Sequence, residues 1–274
     1  MYEAYWQLAT KPFEQRAEGA FYYPGESHQA AALKLRYCIE NAGGAGLLCG
    51  PPGAGKSLLT HWLFNQLPER CSPCRQIVFP QLNRNELLRY VADEVCGSGD
   101  PLANELALDV QIRRLQKFLT ENHQRGRHAV LVFDDAHLLE GHDVFETLRL
   151  LLNFHVHQQP TLSMVLVGQP SLVTTLDRCP AFEERLGVKC LLRPLSLEET
   201  VSYINHRLQA AQSKRALFTD EALEVIHQLS QGIPRRINRL ADLALLVGYA
   251  EEAPHITAAQ VESVAEELIA VRAD

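Results

Sequence analysis

The sequence lacks any run of the roughly 18 consecutive apolar residues that a bilayer-crossing helix needs; its clearest candidates, Ala129–Phe133 and 243–247, are far too short. The N-terminus, MYEAYWQLATKPFE, has neither a basic start nor an apolar central stretch, so it does not read as a secretory leader. Together these absences predict a cytoplasmic protein. Positive charge is also scarce: 26 Lys+Arg against 33 Asp+Glu give a net charge of −7, unfavourable for nucleic acid. No internal repeat and no low-complexity linker interrupts the chain. With 46% apolar and 22% charged residues over 274 positions, the composition is globular and excludes a disordered or collagen-like chain.

Seven cysteines, at 38, 49, 71, 74, 96, 179 and 190, are odd in number and scattered, which reads as reduced thiols. Cys71-Ser-Pro-Cys74 has metal-ligand spacing. A structural zinc site needs four ligands, however, and no second CxxC or His pair follows at a matching distance, so a proline turn with two thiols is the simpler reading.

Five short apolar runs, 46–49, 76–79, Ala129–Phe133, 164–167 and 188–192, lack polar alternation, as strands buried on both faces of a parallel sheet do. Between them, 56–67, 86–96, 110–122 and 144–158 repeat apolar residues at three- and four-residue steps, as in Ile112, Leu115 and Leu119, and predict crossover helices. After Leu195 the strands stop. Ser196-Leu-Glu-Glu199 and Thr257-Ala-Ala-Gln260 read as capping boxes, Thr219 opens a helix that Gly232 stops, and Pro234 sits at a first helical position. The predicted class is therefore α/β, a parallel sheet flanked by helices over residues 1–193, with an all-helical domain over 194–274.

Gly50-Pro51-Pro52-Gly53-Ala54-Gly55-Lys56-Ser57, followed by Leu58, fits GxxxxGK[ST] directly after one apolar run and at the opening of one helical pattern. Glycines let successive N–H groups turn inward onto a triphosphate, and the helix N-terminus adds its positive end. Lys56 supplies a point charge for the β- and γ-phosphates, and the Ser57 hydroxyl is a Mg²⁺ ligand. The strand 129–133 ends in Asp134 and Asp135. Such a pair fits a metal-holding carboxylate followed by a water-orienting one, although a strand-end pair can also serve as a turn or helix cap.

The ordered set GPPGAGKS, VLVFDDAHLL, LRLLLNF, SMVLVGQPSL and GIPRRINRL, with KPF and FYYPGESHQAAALKL near the start, resembles the AAA+ ATPase module of the general secretion pathway protein A group. Related ATPases act in pilus biogenesis and transposition. The resemblance covers nearly the whole chain and implies a P-loop NTPase (AAA+) core, a helical lid, and ATP with Mg²⁺ as ligands. It places Asp134 as the magnesium-binding carboxylate, Gln169 as sensor 1, Arg235 as sensor 2 and Arg185 as the arginine finger for a neighbouring subunit. Each has a plainer reading: Gln169 capping a turn before Pro170, Arg235 and Arg236 as surface charges, and Arg185 pairing with Glu183 or Glu184. Arginine near a helix N-terminus opposes the local dipole, which favours a role for Arg235 beyond helix stability. The N-terminal segment, residues 1–40, is implied to lie near the adenine with Phe13 in contact; Tyr5, Trp6 and Phe13 equally fit an ordinary core cluster.

One departure matters. The group carries Glu after the magnesium-binding aspartate, whereas Asp135 is shorter by one C–C bond, about 1.5 Å. Water activation depends on fine placement, so intact ATP binding with weak turnover is expected. His137 completes DDAH, but a helicase of that kind needs a second RecA-like domain, for which 274 residues leave no room. The implied partners are further copies of the chain in an ATP-dependent oligomer and a membrane-bound envelope-complex protein that recruits it to the inner membrane. Relatives of the secretion type continue into a membrane span and a peptidoglycan-binding domain. Neither is read here, which leaves a piece of a longer chain or a stand-alone form. The alternatives are a transposition-type regulator, with Arg113, Arg114, Lys117, Arg125 and Arg127 as its nucleic-acid stripe, and an ATP-gated scaffold with little turnover.

Overall fold

The computed structural model describes residues 1–14, 19–78, 81–97 and 107–270; Phe79, expected to close the second strand, lies outside them. In chain order the elements are α1 (Glu3–Trp6), α2 (Glu26–Glu40), β1 (Ala45–Cys49), α3 (Lys56–Phe64), β2 (Cys74–Ile77), α4 (Arg84–Cys96), α5 (Leu108–Gln124), β3 (Ala129–Phe133) and α6 (His142–Leu151). Then follow β4 (His155–Val156), β5 (Gln159–Pro160), β6 (Leu162–Gly168), α7 (Ser171–Asp177), α8 (Pro180–Glu183), β7 (Leu186–Leu191), α9 (Leu197–Ala210), α10 (Asp220–Ser230), α11 (Pro234–Ala250) and α12 (Ala258–Ala270). They form two compact units: Ser27–Gly50 with Leu59–Leu192, and Met1–Glu26 with Pro51–Leu58 and Arg193–Asp274.

The first unit is built on a five-stranded sheet of order β2-β3-β6-β1-β7, every pairing parallel. Strands β1, β3 and β6 are buried at every residue, which explains their largely apolar make-up, Ser163 being the polar exception. At the β7 edge Lys189 and Leu191 are exposed instead. Helix α2, which periodicity in the opening segment did not reveal, buries Ala31, Leu35, Cys38 and Ile39. Its Leu35 Cδ2 comes so near Gly46 that a Cβ there would lie 2.8 Å away.

Two crossover helices are shorter than their periodicity suggested. Helix α3 stops at Phe64 rather than 67, and α6 stops at Leu151 rather than 158. Beyond Leu152 the apolar stripe gives way to Asn153, His155, His157 and Gln158. There the chain makes the β4–β5 hairpin, with His157 and Gln158 both in the left-handed region, φ 49° and 65°, as a two-residue turn demands.

In the second unit the Ser196–Glu199 capping box forms as expected: the Ser196 hydroxyl accepts from Glu199 N at 3.2 Å and Glu199 Oε2 accepts from Ser196 N at 2.9 Å. At Thr257 only the reverse half is seen, Gln260 Oε1 accepting from Thr257 N at 2.9 Å. Met1–Glu26 groups with these helices, although chain order alone would put it with the α/β layer. The reason is a set of specific anchors. Trp6, fully buried, donates from Nε1 to Leu245 O at 2.9 Å, and Gly248 leaves room for its ring. The buried Arg207 guanidinium donates to Pro12 O and Glu14 O, each at 2.6 Å, and lies 4.9 Å over the Phe21 ring.

Burial pushes the His128 imidazole down from 6.5 to about 4, while its Nε2 lies 2.8 Å from Ser163 Oγ. The folded form therefore resists a proton that the unfolded form accepts, so stability is complete above pH 6.5 and falls as pH drops toward 4. That displacement corresponds to about 3 kcal/mol. Urea denaturation followed from pH 7.5 to 4.5 should show the midpoint falling, and His128→Gln should flatten most of that slope.

Candidate functional site

In the helical unit, residues 51–58 curl around a single carbonyl. Gly53 and Gly55 take φ of +82° and +92°, where a side chain is strained. Pro51 O accepts from Ala54 N at 3.2 Å and from the Lys56 ammonium at 3.0 Å. Lys56 is 8% exposed and opens α3, whose first-turn N–H groups have no helical acceptors; Ser57 beside it is exposed. Arg235 N–H donates to Gly53 O at 3.2 Å, and a Cβ on Gly53 would sit 2.7 Å from Arg235 Cβ. The backbone and stem of Arg235 thus lie on the loop, while its exposed guanidinium has no hydrogen-bond or ion-pair partner among the described residues. Arg236, by contrast, donates to Gln231 Oε1 at 3.1 Å.

The α/β unit gathers a second cluster at the ends of β3 and β6. Asp134, 8% exposed, accepts from Gln76 Nε2 at 3.1 Å and from Asp135 N at 3.0 Å. Asp135 adopts φ 48° and its side chain is 59% exposed. His137, in the 3-10 turn Ala136–Leu138, lies with Nε2 2.8 Å from Gln169 Nε2 and Nδ1 3.8 Å from Asp135 Oδ1. A Cβ on Gly168 would lie 3.1 Å from His137 N, so the absent side chain admits the turn. Gly50, closing β1, donates from its N–H to Gly168 O at 3.2 Å.

These residues fit the ligands their motifs call for. Gly53 and Gly55 hold the backbone in the conformation that turns N–H groups onto an anion, next to a helix N-terminus. Asp134 is a nearly buried carboxylate with only neutral donors and no cationic partner among the described residues, which suits a hard divalent ion such as Mg²⁺.

The AAA domain family matches residues 39–176, half of the chain. The chain belongs to this family. It is 33% identical to the general secretion pathway protein A of Aeromonas hydrophila over 276 residues, which takes in 99% of this chain and 49% of that protein. It therefore spans about half the length of that curated relative. Among solved structures, Drosophila ORC bound to DNA superposes with TM-score 0.71 at 17% identity, covering 96% of this chain and 66% of that one. The Aeropyrum pernix ORC2 protein (ADPNP-ADP complexes) gives 0.66 at 16% over 94% and 71%, and the Thermotoga maritima RuvB Holliday junction branch migration motor 0.58 at 22% over 90% and 70%. At these identities the likeness establishes the AAA+ fold, a parallel sheet with C-terminal helices.

The remaining expected residues of this AAA chain separate by their partners. Arg185 is exposed and has no side-chain partner among the described residues; its carbonyl accepts from Ala45 N at 3.0 Å, and Glu183 pairs with Lys189 instead. Arg193 is held by Glu26 at 2.6 Å and Glu199 at 2.5 Å. Of the basic stripe, Arg113 pairs with Asp109 at 3.5 Å, Arg114 with Asp93 at 3.0 Å and Lys117 with Glu121 at 3.9 Å, leaving Arg125 and Arg127 exposed. Tyr5, Trp6 and Phe13 join the core of the helical unit, Phe13 being 3% exposed and edge-on to Phe218 at 6.2 Å. Burial raises the thiols of Cys71 and Cys74, the latter to about 11, so neither is a ready thiolate, and no cluster of metal ligands occurs among the described residues.

Sequence reasoning missed Gln76 and undervalued His137. A polar residue inside an otherwise apolar strand prediction was the available signal for Gln76; its contact with Asp134 depends on the β2–β3 register, Gln76 opposite Val132, which only the sheet reveals. We expect Gly53→Ala to lower stability in urea by about 2 kcal/mol, since it combines a positive φ with a clash on Arg235.

Proposed function

We propose that this chain binds Mg-ATP, hydrolyses it slowly, and couples the cycle to movement of the helices around Arg235 within a secretion or envelope-assembly complex. The observation that carries the reading is the bond from Arg235 N–H to Gly53 O, which makes the phosphate loop and the base of α11 one structure. Mg-ATP supplies the phosphoanhydride bond and the divalent charge. The N–H groups of Gly53 and Gly55 hold the phosphates, and the Lys56 ammonium exchanges the Pro51 carbonyl for phosphate oxygen. Ser57 and Asp134 are the residues that would offer oxygen ligands to the metal. Asp135 accepts the proton of the attacking water, Gln169 orients that water, and Arg235 senses the γ-phosphate from its unpaired guanidinium. Arg185, exposed and unpaired among the described residues, is available to a second copy, which makes turnover depend on a homo-oligomer.

The 33% identity to general secretion pathway protein A supports the secretion setting, and the reading places a membrane-bound partner at the inner membrane within it. No helix of the described residues is long and apolar enough to cross a membrane. A nucleic-acid role draws less support, since acids offset three charges of the proposed stripe. A scaffold with little turnover is favoured by the short and exposed Asp135 carboxylate.

Calorimetry should show heat of association with Mg-ATP, and Lys56→Ala should weaken binding by at least about tenfold; no heat from folded protein defeats the reading. Steady-state phosphate release should rise at least about threefold in Asp135→Glu, whose carboxylate reaches farther. Turnover no higher than that of the natural chain rejects the weak-hydrolysis account.

A further inference from the structure

We infer that His137 is a positioning residue that holds the Asp135 carboxylate and the Gln169 amide in one register for attack by water; this deepens the ATPase reading and rests on it. The tautomer follows from the Gln169 amide as oriented, with Nε2 toward the ring. An amide nitrogen only donates, so the 2.8 Å contact from Gln169 Nε2 makes His137 Nε2 the acceptor and leaves the hydrogen of the neutral ring on Nδ1. That Nδ1 is shut off from solvent and has no hydrogen-bond partner among the described residues. It faces Asp135 Oδ1 at 3.8 Å, about 1 Å beyond a hydrogen bond.

The two sides of this gap differ in freedom. The His137 side chain is 12% exposed and Asp135 is 59% exposed, so the carboxylate is the part that moves. The residue is held at three points: Leu138 N bonds to Asp135 O at 2.8 Å within the turn, His137 N and Cβ occupy the space where a Gly168 side chain would stand, and Gln169 Nε2 meets the ring at 2.8 Å. Gly168 immediately precedes Gln169, so the strand end that carries the amide also seats the ring that receives it. Rotation of Asp135 toward Nδ1 satisfies the buried donor and aims the carboxylate. One imidazole then fixes both groups that handle the water, compensating for a carboxylate shorter than Glu.

The test compares His137→Ala, His137→Asn, which keeps a donor near Nδ1, and His137→Gln, which keeps an acceptor near Nε2. Mg-ATP affinity is read by calorimetry, folding by thermal melting, and turnover as separate kcat and KM. His137→Ala should lower kcat by about 10- to 100-fold with affinity and KM within about twofold, and Asn and Gln should each restore part of the loss. Combining His137→Ala with Gln169→Ala should cost no more than the slower single variant. Unchanged kcat in His137→Ala, equal losses of affinity and melting temperature, or fully multiplicative losses in the double variant each overturn the inference. So does a natural chain that binds Mg-ATP without turning it over. A natural chain that shows no heat with Mg-ATP fails earlier, taking the ATPase reading and this inference down together.

Discussion

The backbone between β1 and α3 closes on itself only because Gly53 and Gly55 take positive φ, and much of the remaining arrangement depends on that curl. The space where a Gly53 side chain would stand is taken by Arg235 Cβ, and the Gly53 carbonyl is the acceptor for Arg235 N–H. One glycine therefore shapes the anion cradle and seats the first turn of α11. Pro234 at the first helical position suits that seat, since its missing N–H costs nothing there. Arg235 is the costly member, because a cation at a helix N-terminus opposes the dipole. Its stem lies on the phosphate loop, and its guanidinium, without a partner among the described residues, is open to an anion.

Much of this was legible beforehand, and the reasons are local. The buried strands announced themselves because β1, β3 and β6 are covered on both faces and are apolar at nearly every position. The phosphate loop was legible because its φ values restrict residue types. Helix α2 was not, because it mixes buried His28 and exposed Leu33 and Tyr37 with its apolar stripe, blurring the period. The grouping of Met1–Glu26 with the C-terminal helices was not legible, because its anchors are long-range. Arg207 reaching Pro12 and Trp6 reaching Leu245 link residues about two hundred positions apart, and no window along the sequence contains both ends.

The two adjacent aspartates show how environment divides similar groups. Asp134 is nearly buried and satisfied by Gln76 and the next backbone N–H, so its remaining lone pairs are fixed in direction. Asp135 is exposed and stands in the left-handed region at φ 48°. Aspartate tolerates that region better than longer side chains, since its carboxylate can bond locally. The short side chain is thus matched to the turn that swings His137 under the end of β6. A longer residue at 135 gains reach and loses part of that backbone fit, so the departure from Glu is coupled to the turn rather than an isolated change.

Charge placement bears on what the chain meets. With a net charge of −7, long-range attraction to a polyanion is weak, and the cations of α5 that form a stripe in sequence sit among acids in space. Exposed pairs of this kind contribute little to stability, but they flatten the local potential that nucleic acid would seek. The arginines left without partners among the described residues include Arg235 on the phosphate loop and Arg185 at the start of an edge strand. A planar guanidinium held by its backbone but not by an acid is suited to bidentate contact with phosphate. The charge at these two arginines is therefore local and directional, unlike that of the α5 cations, which acids offset.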